Sequence, residues 1–342
     1  MRAAGPRRAA RALHLEGVRR GGAEGAAGVP GVSGRDRAGA ARVAVVIVHH
    51  ETPAALRDCL DSLGALAPPA GPSAGVEERD RPDGGPDGGP DVSPPDGIEI
   101  VVVDNASRDP ASRELLDALQ WTASEEGHRR LRVLRRPDNP GFGAGCNLGV
   151  AATEAETVLL LNPDASLSPA DLLRLDTKLQ EDPRRGAVGC RIVAPDGRSE
   201  PTWGAPPSLL GEVRWRRFWR AWEAREAWAV ERCEARQGSE RDGVPWLTAA
   251  CLALRRSAFE EVGGFDERFF LYYEDVDLCC ALRRAGWELH YTPEVECAHR
   301  RGASTGRRRD LRAIRRASQR LLFDKWRPAH ERLLLRLAQL LV

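Results

Sequence analysis

IEIVVVD, residues 98–104, is an almost unbroken apolar run that closes on an acid. A strand with one wet face alternates polar and apolar side chains. A run this continuously apolar suits a strand buried on both faces, as in a parallel sheet covered by helices. Two other runs repeat it. RVAVVIV (42–48) is followed by Thr52 and Pro53, an N-cap and a first-turn proline for a helix reaching about Leu63. TVLLLNPD (157–164) also ends in an acid, and Ser168-Pro169 then opens a helix that ends near Asp182-Pro183. Between these runs lie a helix from about Pro110 to Glu125, a short strand LRVLR (131–135), a glycine-rich loop and a helix near 143–153. Strands alternating with helices at this spacing predict an α/β fold built on a parallel sheet. Ligands of such sheets bind at the carboxyl ends of the strands. Asp104 and Asp164, flanked by Asn105 and Asn162, lie at those ends together with His49 and His50.

The 342 residues allow one large domain or two modest ones with an ample core. A formal net charge of +1 advertises no nucleic-acid partner. The charge is uneven: residues 1–41 carry eight arginines against three acids, and 67–97 carry seven acids against two arginines. Both segments read as disordered, the first rich in Ala, Gly and Arg and the second containing DGGPDGGPD. No apolar run reaches the roughly 18 residues a membrane-spanning helix needs. The basic N-terminus lacks the apolar stretch of a signal peptide. Eight cysteines without a C-x-x-C pair fit a reduced, cytoplasmic compartment and read as small core residues.

FFLYYEDVDLC (269–279) places Glu274, Asp275 and Asp277 directly after a block of aromatics. Apolar neighbours make a carboxylate costly to ionise, which is the setting of a general base. The alternative is that the first two acids cap a helix through Val276–Ala285, since acids favour helix N-termini. The segment 203–246 interleaves Trp203, Trp215, Trp219, Trp222, Trp228 and Trp246 with arginines. Its helical stripe either packs on the main domain or lies in a membrane interface. From Arg307 to Val342 the chain is basic and helical, broken at Pro328, and suits a docked helix, a dimer contact or a membrane-surface helix.

Six pieces in order resemble a family-2 glycosyltransferase of the nucleotide-diphospho-sugar (GT-A) class, closest to its rhamnosyltransferase-like branch. They are RVAVVIVHHET (42–52), VVVDNAS (101–107), NPGFGAGCNLG (139–149), LLLNPDA (159–165), CLALRRSAFEEVGGFDERFFLYYEDVDLC (251–279) and AHRRGAST (298–305). The resemblance spans about 42–305, with 306–342 as a basic helical extension. It implies a mostly parallel central sheet flanked by helices. It also implies inverting transfer of a sugar, L-rhamnose from dTDP-rhamnose in that branch, to a hydroxyl of a lipid-linked or cell-surface glycan at the inner face of the plasma membrane.

The resemblance assigns roles residue by residue. Asp104 contacts the base, with Asn105, His50 in a position often aromatic, and Glu51 where asparagine is commoner. Asn139, Gly143, Asn147 and Asn162 complete the nucleotide-sugar set. Asp164 is the last acid of the metal motif, here Asn162-Pro163-Asp164, and His299 joins it at the diphosphate with Mg²⁺ or Mn²⁺. Asp275 is the base that takes the acceptor proton. Glu274, Tyr273 and Trp246 hold the acceptor, Gly263–Phe265 and Trp287 frame its pocket, and Asp277 braces the helix.

Two other functions compete. A dinucleotide-dependent oxidoreductase would use GFGAGCNLG, but Cys146 or Leu148 falls where the third glycine or alanine of the fingerprint belongs. A non-catalytic nucleotide-sugar-binding homologue would account for HHET and for Thr248-Ala249-Ala250, where the family often has Ser-Gly-Ala. It would not account for Asp104, Asp164, Asp275 and His299 occurring together.

Overall fold

The computed structural model describes residues 41–66, 97–124, 130–301 and 308–340, all within the unit Ala40–Val342. The Ala/Gly/Arg-rich segment 1–41 and the acidic insert 67–97 lie, but for residues 41 and 97, outside the described residues.

β1 (Val43–His49) lies between β2 (Ile98–Asp104) and β4 (Thr157–Leu161), and β3 (Leu131–Arg135) flanks β2, all parallel. Beyond β4 the sheet continues through β8 (Cys251–Arg255), β6 (Arg185–Val193), β9 (Glu288–His299) and β5 (Ala165–Ser166), with β7 (Arg241–Asp242) also on β9. The α/β sheet flanked by helices is as the sequence predicts. It is mixed, however: β8 runs antiparallel to both β4 and β6, while β6 and β9 pair in parallel. An apolar run such as CLALR reads the same in either direction, so its sense is not legible locally.

The continuous apolar strands are explained by two cores. Val43, Val45 and Ile47 face α1 (Pro53–Ser62), α2 (Pro110–Ser124) and α4 (Pro169–Gln180). Val46 and Val48 face α3 (Phe142–Ala151), α7 (Arg256–Glu261) and α8 (Glu274–Ala285). Burying each such side chain contributes about 2 kcal/mol of transfer free energy. The cysteines are all free, and all but half-buried Cys280 are buried.

Local signals hold in part. Ser168 caps α4, its Oγ accepting from the Asp171 N–H at 3.1 Å. Thr52 does not cap α1 with its side chain; its Oγ1 lies 3.2 Å from His49 Nδ1 instead. The glycines of 139–149 serve packing. A Cβ on Gly149 would lie 2.4 Å from a methyl of Val46, so α3 can lie this close to β1 only with glycine there. Gly141 has φ of 108°, and a Cβ there would meet the Phe270 carbonyl. Phe142 N–H donates to that carbonyl at 3.1 Å, tying the glycine loop to the aromatic–acidic segment.

The tryptophan stripe of α5 (Leu209–Glu223) faces inward. Phe218 and Trp222 are buried against Ala229 and Cys233 of α6 (Ala227–Gln237). Trp215 packs edge-on to Trp246 at 5.1 Å between ring centroids. Trp215 and Trp222 are thus packed within the protein, while Trp228 is exposed. The C-terminal region is docked as well. α9 (Arg308–Trp326) buries Leu322 beside Phe269 and Val276, and α10 (Ala329–Leu340) packs on α9 and α5. Thus the stretch expected as a tail beyond 305 forms part of the wall around residues 269–277.

Candidate active site

β1 and β2 end level, with His49 in register with Asp104. The two neighbouring histidines diverge. His49 is buried between Ser112 Oγ at 3.0 Å and Thr52 Oγ1 at 3.2 Å. Burial holds its pKa down to about 4, overriding the charges of Asp104 and Asp109, so it is a neutral strut. His50 is half-buried, and its Nδ1 has no partner among the described residues. Glu51 adopts a left-handed backbone (φ 54°), and its N–H donates to Ser107 Oγ at 2.9 Å. Asp104 Oδ1 accepts from the Ser107 N–H at 3.1 Å. Asn105 Nδ2 donates to the Gly141 carbonyl at 2.9 Å and lies 3.4 Å from Asn139 Oδ1. His50, Glu51, Asp104, Asn105 and Asn139 thus gather at one pair of strand ends.

Gly143 and Asn147 are used otherwise. A Cβ on Gly143 would lie 2.9 Å from that of Phe265. Asn147 exchanges hydrogen bonds with the Phe265 backbone, at 3.0 and 2.9 Å, and donates to Glu267. Both hold the 263–267 loop, and the Asn147 amide is occupied there rather than at the strand ends.

The second group forms because β5 pairs antiparallel with the end of β9, Ala165 opposite His299. That brings Asp164 Oδ1 to 3.2 Å from His299 Nε2, with Asn162 Nδ2 at 3.4 Å. On its other side His299 Nδ1 lies 3.2 Å from buried Glu200. Burial would lower the pKa of this histidine, but bonding to two carboxylates outweighs it and raises the value to about 9. His299 is therefore an imidazolium lodged between two anions. Glu200 also pairs with Arg301 at 2.6 Å. Nothing in its sequence surroundings, RSEPTW, marks Glu200 as a site residue.

The third group is the acidic segment. Tyr272 and Tyr273 both have left-handed backbones (φ 70° and 66°), each costing about 1–2 kcal/mol for a residue with a side chain. Such outliers persist where the surroundings enforce them. Here Tyr273 hydroxyl donates to Glu212 Oε2 at 2.7 Å, and Ser318 Oγ donates to the Leu271 carbonyl at 2.8 Å. Neither Glu274 nor Asp275 is the N-cap of α8; both lie in its first turn. Asp275 is half-buried, with Oδ1 accepting from Val276 N–H at 2.8 Å and Oδ2 from Ala249 N–H at 3.4 Å. Burial raises its pKa against the pull of these donors and Thr248. Asp277 does brace, through α9: it accepts from Lys325 Nζ and Trp326 Nε1, each at 2.7 Å.

Glu274 departs from the acceptor-side position expected of it. It is buried, and its charge is felt by Cys146 of α3. Its Oε2 has no partner among the described residues. Burial pushes its pKa up to about 8, with the charge of Asp275 adding to the rise. A carboxyl with a higher pKa folded than unfolded stabilises the fold fully below its unfolded value of 4.5. That stability is lost as the pH rises through about 8. Glu274→Gln is therefore expected to raise Tm by several degrees at about pH 9 and much less at about pH 6. Equal changes in Tm at both pH values would remove the buried acid from this role.

Asp275, Thr248, Trp246, Tyr273 and His299 line one cavity of about 1420 Å³, so the base candidate and the Asp164–His299 group open onto a common space. Trp246 Nε1 donates to the Ala205 carbonyl at 3.0 Å, leaving its ring as wall. Among the described residues no group of three or more His, Cys, Asp or Glu is arranged to hold a metal ion. Mg²⁺ and Mn²⁺ at phosphate sites take one or two protein carboxylates, with substrate and water completing the shell. Asp164 fits that sparse donor set as its one carboxylate, whereas His299, protonated on both ring nitrogens, suits the diphosphate oxygens rather than the metal position expected of it.

The family profile described as "Glycosyl transferase family 2" matches residues 44–263. The chain belongs to that family. The profile ends before the acidic segment, so it includes Asp104 and Asp164 but not Asp275 or His299. This family 2 chain is 34% identical over 221 residues to an N-acetylglucosaminyl-diphospho-decaprenol L-rhamnosyltransferase of Mycobacterium tuberculosis, covering 61% of this chain and 69% of the relative. Its fold matches a mannosyltransferase of Pyrobaculum calidifontis, in complex with GDP-Man and Mn²⁺, at TM-score 0.50 and 18% identity, covering 85% of this chain and 65% of that one. It also matches GalNAc-T7 with UDP, GalNAc and Mn²⁺ at TM-score 0.51 and 16% identity, over 82% of this chain and 48% of that one. The family 2 enzyme thus has the GT-A glycosyltransferase fold.

Proposed function

We propose that the enzyme transfers L-rhamnose from dTDP-L-rhamnose, with inversion, to a hydroxyl of a lipid-linked or cell-surface glycan. The observation that carries this reading is that Asp275 and His299 face one cavity while Asp164 contacts His299. The nucleotide lies across the ends of β1 and β2, its base on Asp104 and His50. Its diphosphate meets Asp164 and His299. A divalent cation, Mg²⁺ or Mn²⁺, supplies Lewis-acid neutralisation of the leaving diphosphate when bound at Asp164.

Asp275 takes the acceptor proton as that oxygen attacks the anomeric carbon; the bond from that carbon to the diphosphate oxygen breaks, and the nucleoside diphosphate leaves with its electron pair. The backbone N–H groups of Ala249 and Val276 hold the carboxylate in place. Burial makes it a stronger base than an ordinary aspartate, since a raised pKa means tighter proton binding. The mycobacterial relative, by its name an L-rhamnosyltransferase acting on a diphospho-decaprenol, supports the choice of sugar and of a diphospho-lipid acceptor.

Such an acceptor sits at a membrane. Among the described residues no helix is long and apolar enough to cross one. Leu333, Leu334, Leu337 and Leu340 of α10 are nevertheless exposed, and they suit peripheral contact with the inner face of the plasma membrane. A thermal-shift panel of nucleotide sugars, each with and without Mn²⁺, tests the donor assignment. The largest stabilisation is expected from dTDP-L-rhamnose with Mn²⁺; no stabilisation by any nucleotide sugar would reject it.

A further inference from the structure

One wall of the cavity is lined by arginines that the donor and the base do not use. α5 brings Arg216, and α9 brings Arg312, Arg315 and Arg316, to its wall. The Arg315 guanidinium lies 4.5 Å from the centroid of the Tyr272 ring. Arg216 donates to Gln319 Oε1 at 3.0 Å, and Gln319 in turn donates to the Tyr273 hydroxyl at 3.1 Å. Arg216 and Arg315 thus stand around the two residues that precede Glu274 and Asp275.

Among the described residues none of the four forms an ion pair with a carboxylate, whereas Arg184, Arg185, Arg191 and Arg198 all do. Four acids line the cavity with them, Glu200, Glu212, Glu223 and Asp275; Glu212 is buried and already accepts from Tyr273 and Gln319 through Oε2, both at 2.7 Å, and Glu200 pairs with Arg301. Like charges gathered around a cavity repel one another, and an anionic ligand removes that cost. A guanidinium stacked on a tyrosine keeps its N–H edge free for the fork-like bonds that phosphate accepts. Leu210, at the start of α5, lines the same cavity and is 59% exposed, an apolar surface close in sequence to the arginines.

We propose that Arg216, Arg312, Arg315 and Arg316 form a second phosphate-binding site, apart from Asp164 and His299, which holds the phosphate or diphosphate of a lipid-borne acceptor. This rests on the sugar-transfer reading, in which the groups beside the base must meet the acceptor. Filled in that way, the site fixes the acceptor by its charged end and presents a hydroxyl to Asp275.

The alternative source of such an anion is the donor's own diphosphate, and the two are separable. Isothermal titration of the full chain with geranyl diphosphate, in Mn²⁺ and saturating dTDP, fills the donor site first. Geranyl diphosphate is expected still to bind. The combined Arg312→Ala, Arg315→Ala and Arg316→Ala variant is expected to bind it at least tenfold more weakly, with dTDP affinity within about twofold of the parent, because each arginine removed takes away charge-assisted bonds to the phosphate. Arg315→Lys, which keeps charge but not the planar fork, should fall between them. Binding abolished by dTDP, no binding by the parent, or unchanged binding by the variant would each overturn the second site. Failure of dTDP itself to bind would instead bring down the donor assignment.

Discussion

Asp275→Asn is expected to lower the transfer rate by about three orders of magnitude, the scale of a lost general base. The change is nearly isosteric, and the amide oxygen can still accept from the Val276 or Ala249 N–H. The fold and the donor site should therefore survive, so kcat falls while donor affinity stays within about twofold. The raised pKa of Asp275 has a further consequence. A base must be unprotonated, so the rate of the parent falls as the pH drops through that raised value, and this acid limb should vanish from the residual rate of the variant. Glu274→Gln is the contrast, because its side chain is buried rather than among those lining the cavity. Steady-state kinetics of the two variants side by side decide the matter. An Asp275→Asn enzyme within tenfold of the parent would take the base away from this residue.

Asp277→Ala is expected to destabilise the enzyme by about 2–4 kcal/mol, the cost of removing one partner from a buried charged pair. The carboxylate accepts from both Lys325 and Trp326, so its loss leaves a part-buried indole N–H and an ammonium without it. Lys325 also pairs with Asp266 at 2.8 Å and is part-exposed, which keeps the cost below that of a fully buried ion pair. The consequence reaches beyond stability, because α9 carries both the Ser318 bond to Leu271 and the arginine wall. Asp277→Asn retains an acceptor for Trp326 and should lose roughly half as much. Urea unfolding measures both, and a loss below about 0.5 kcal/mol for the alanine variant would show that α9 is not held through this residue.

Parts of this site are legible in the sequence because they are local. The apolar runs give the strands, and their final acids place Asp104 at the end of β2 and Asp164 in the turn between β4 and β5. What the sequence hides is direction and distance. His49 and His50 are equivalent in a string, yet alternation along a strand sends one inward as a neutral strut and leaves the other at the strand end. Glu274 and Asp275 look equally apt, yet adjacent positions on a helix diverge by about 100°, so only one lines the cavity. The glycines of NPGFGAGCNLG resemble a phosphate loop and instead let α3 lie against β1, a fact that resides in the partner strand. Glu200 and the arginines of α9 carry no local signature; they join the site only through β-pairing and helix docking.

Direct displacement at the anomeric carbon inverts it, so the configuration of the product reports the mechanism. Proton NMR reads that configuration in the glycoside formed on an acceptor, or, with water as nucleophile, in the sugar first released from the nucleotide-sugar donor in Mn²⁺ before it mutarotates. An anomer opposite to that of the donor is the expected result. Retention of configuration, or a sugar left covalently attached to the protein, would contradict it.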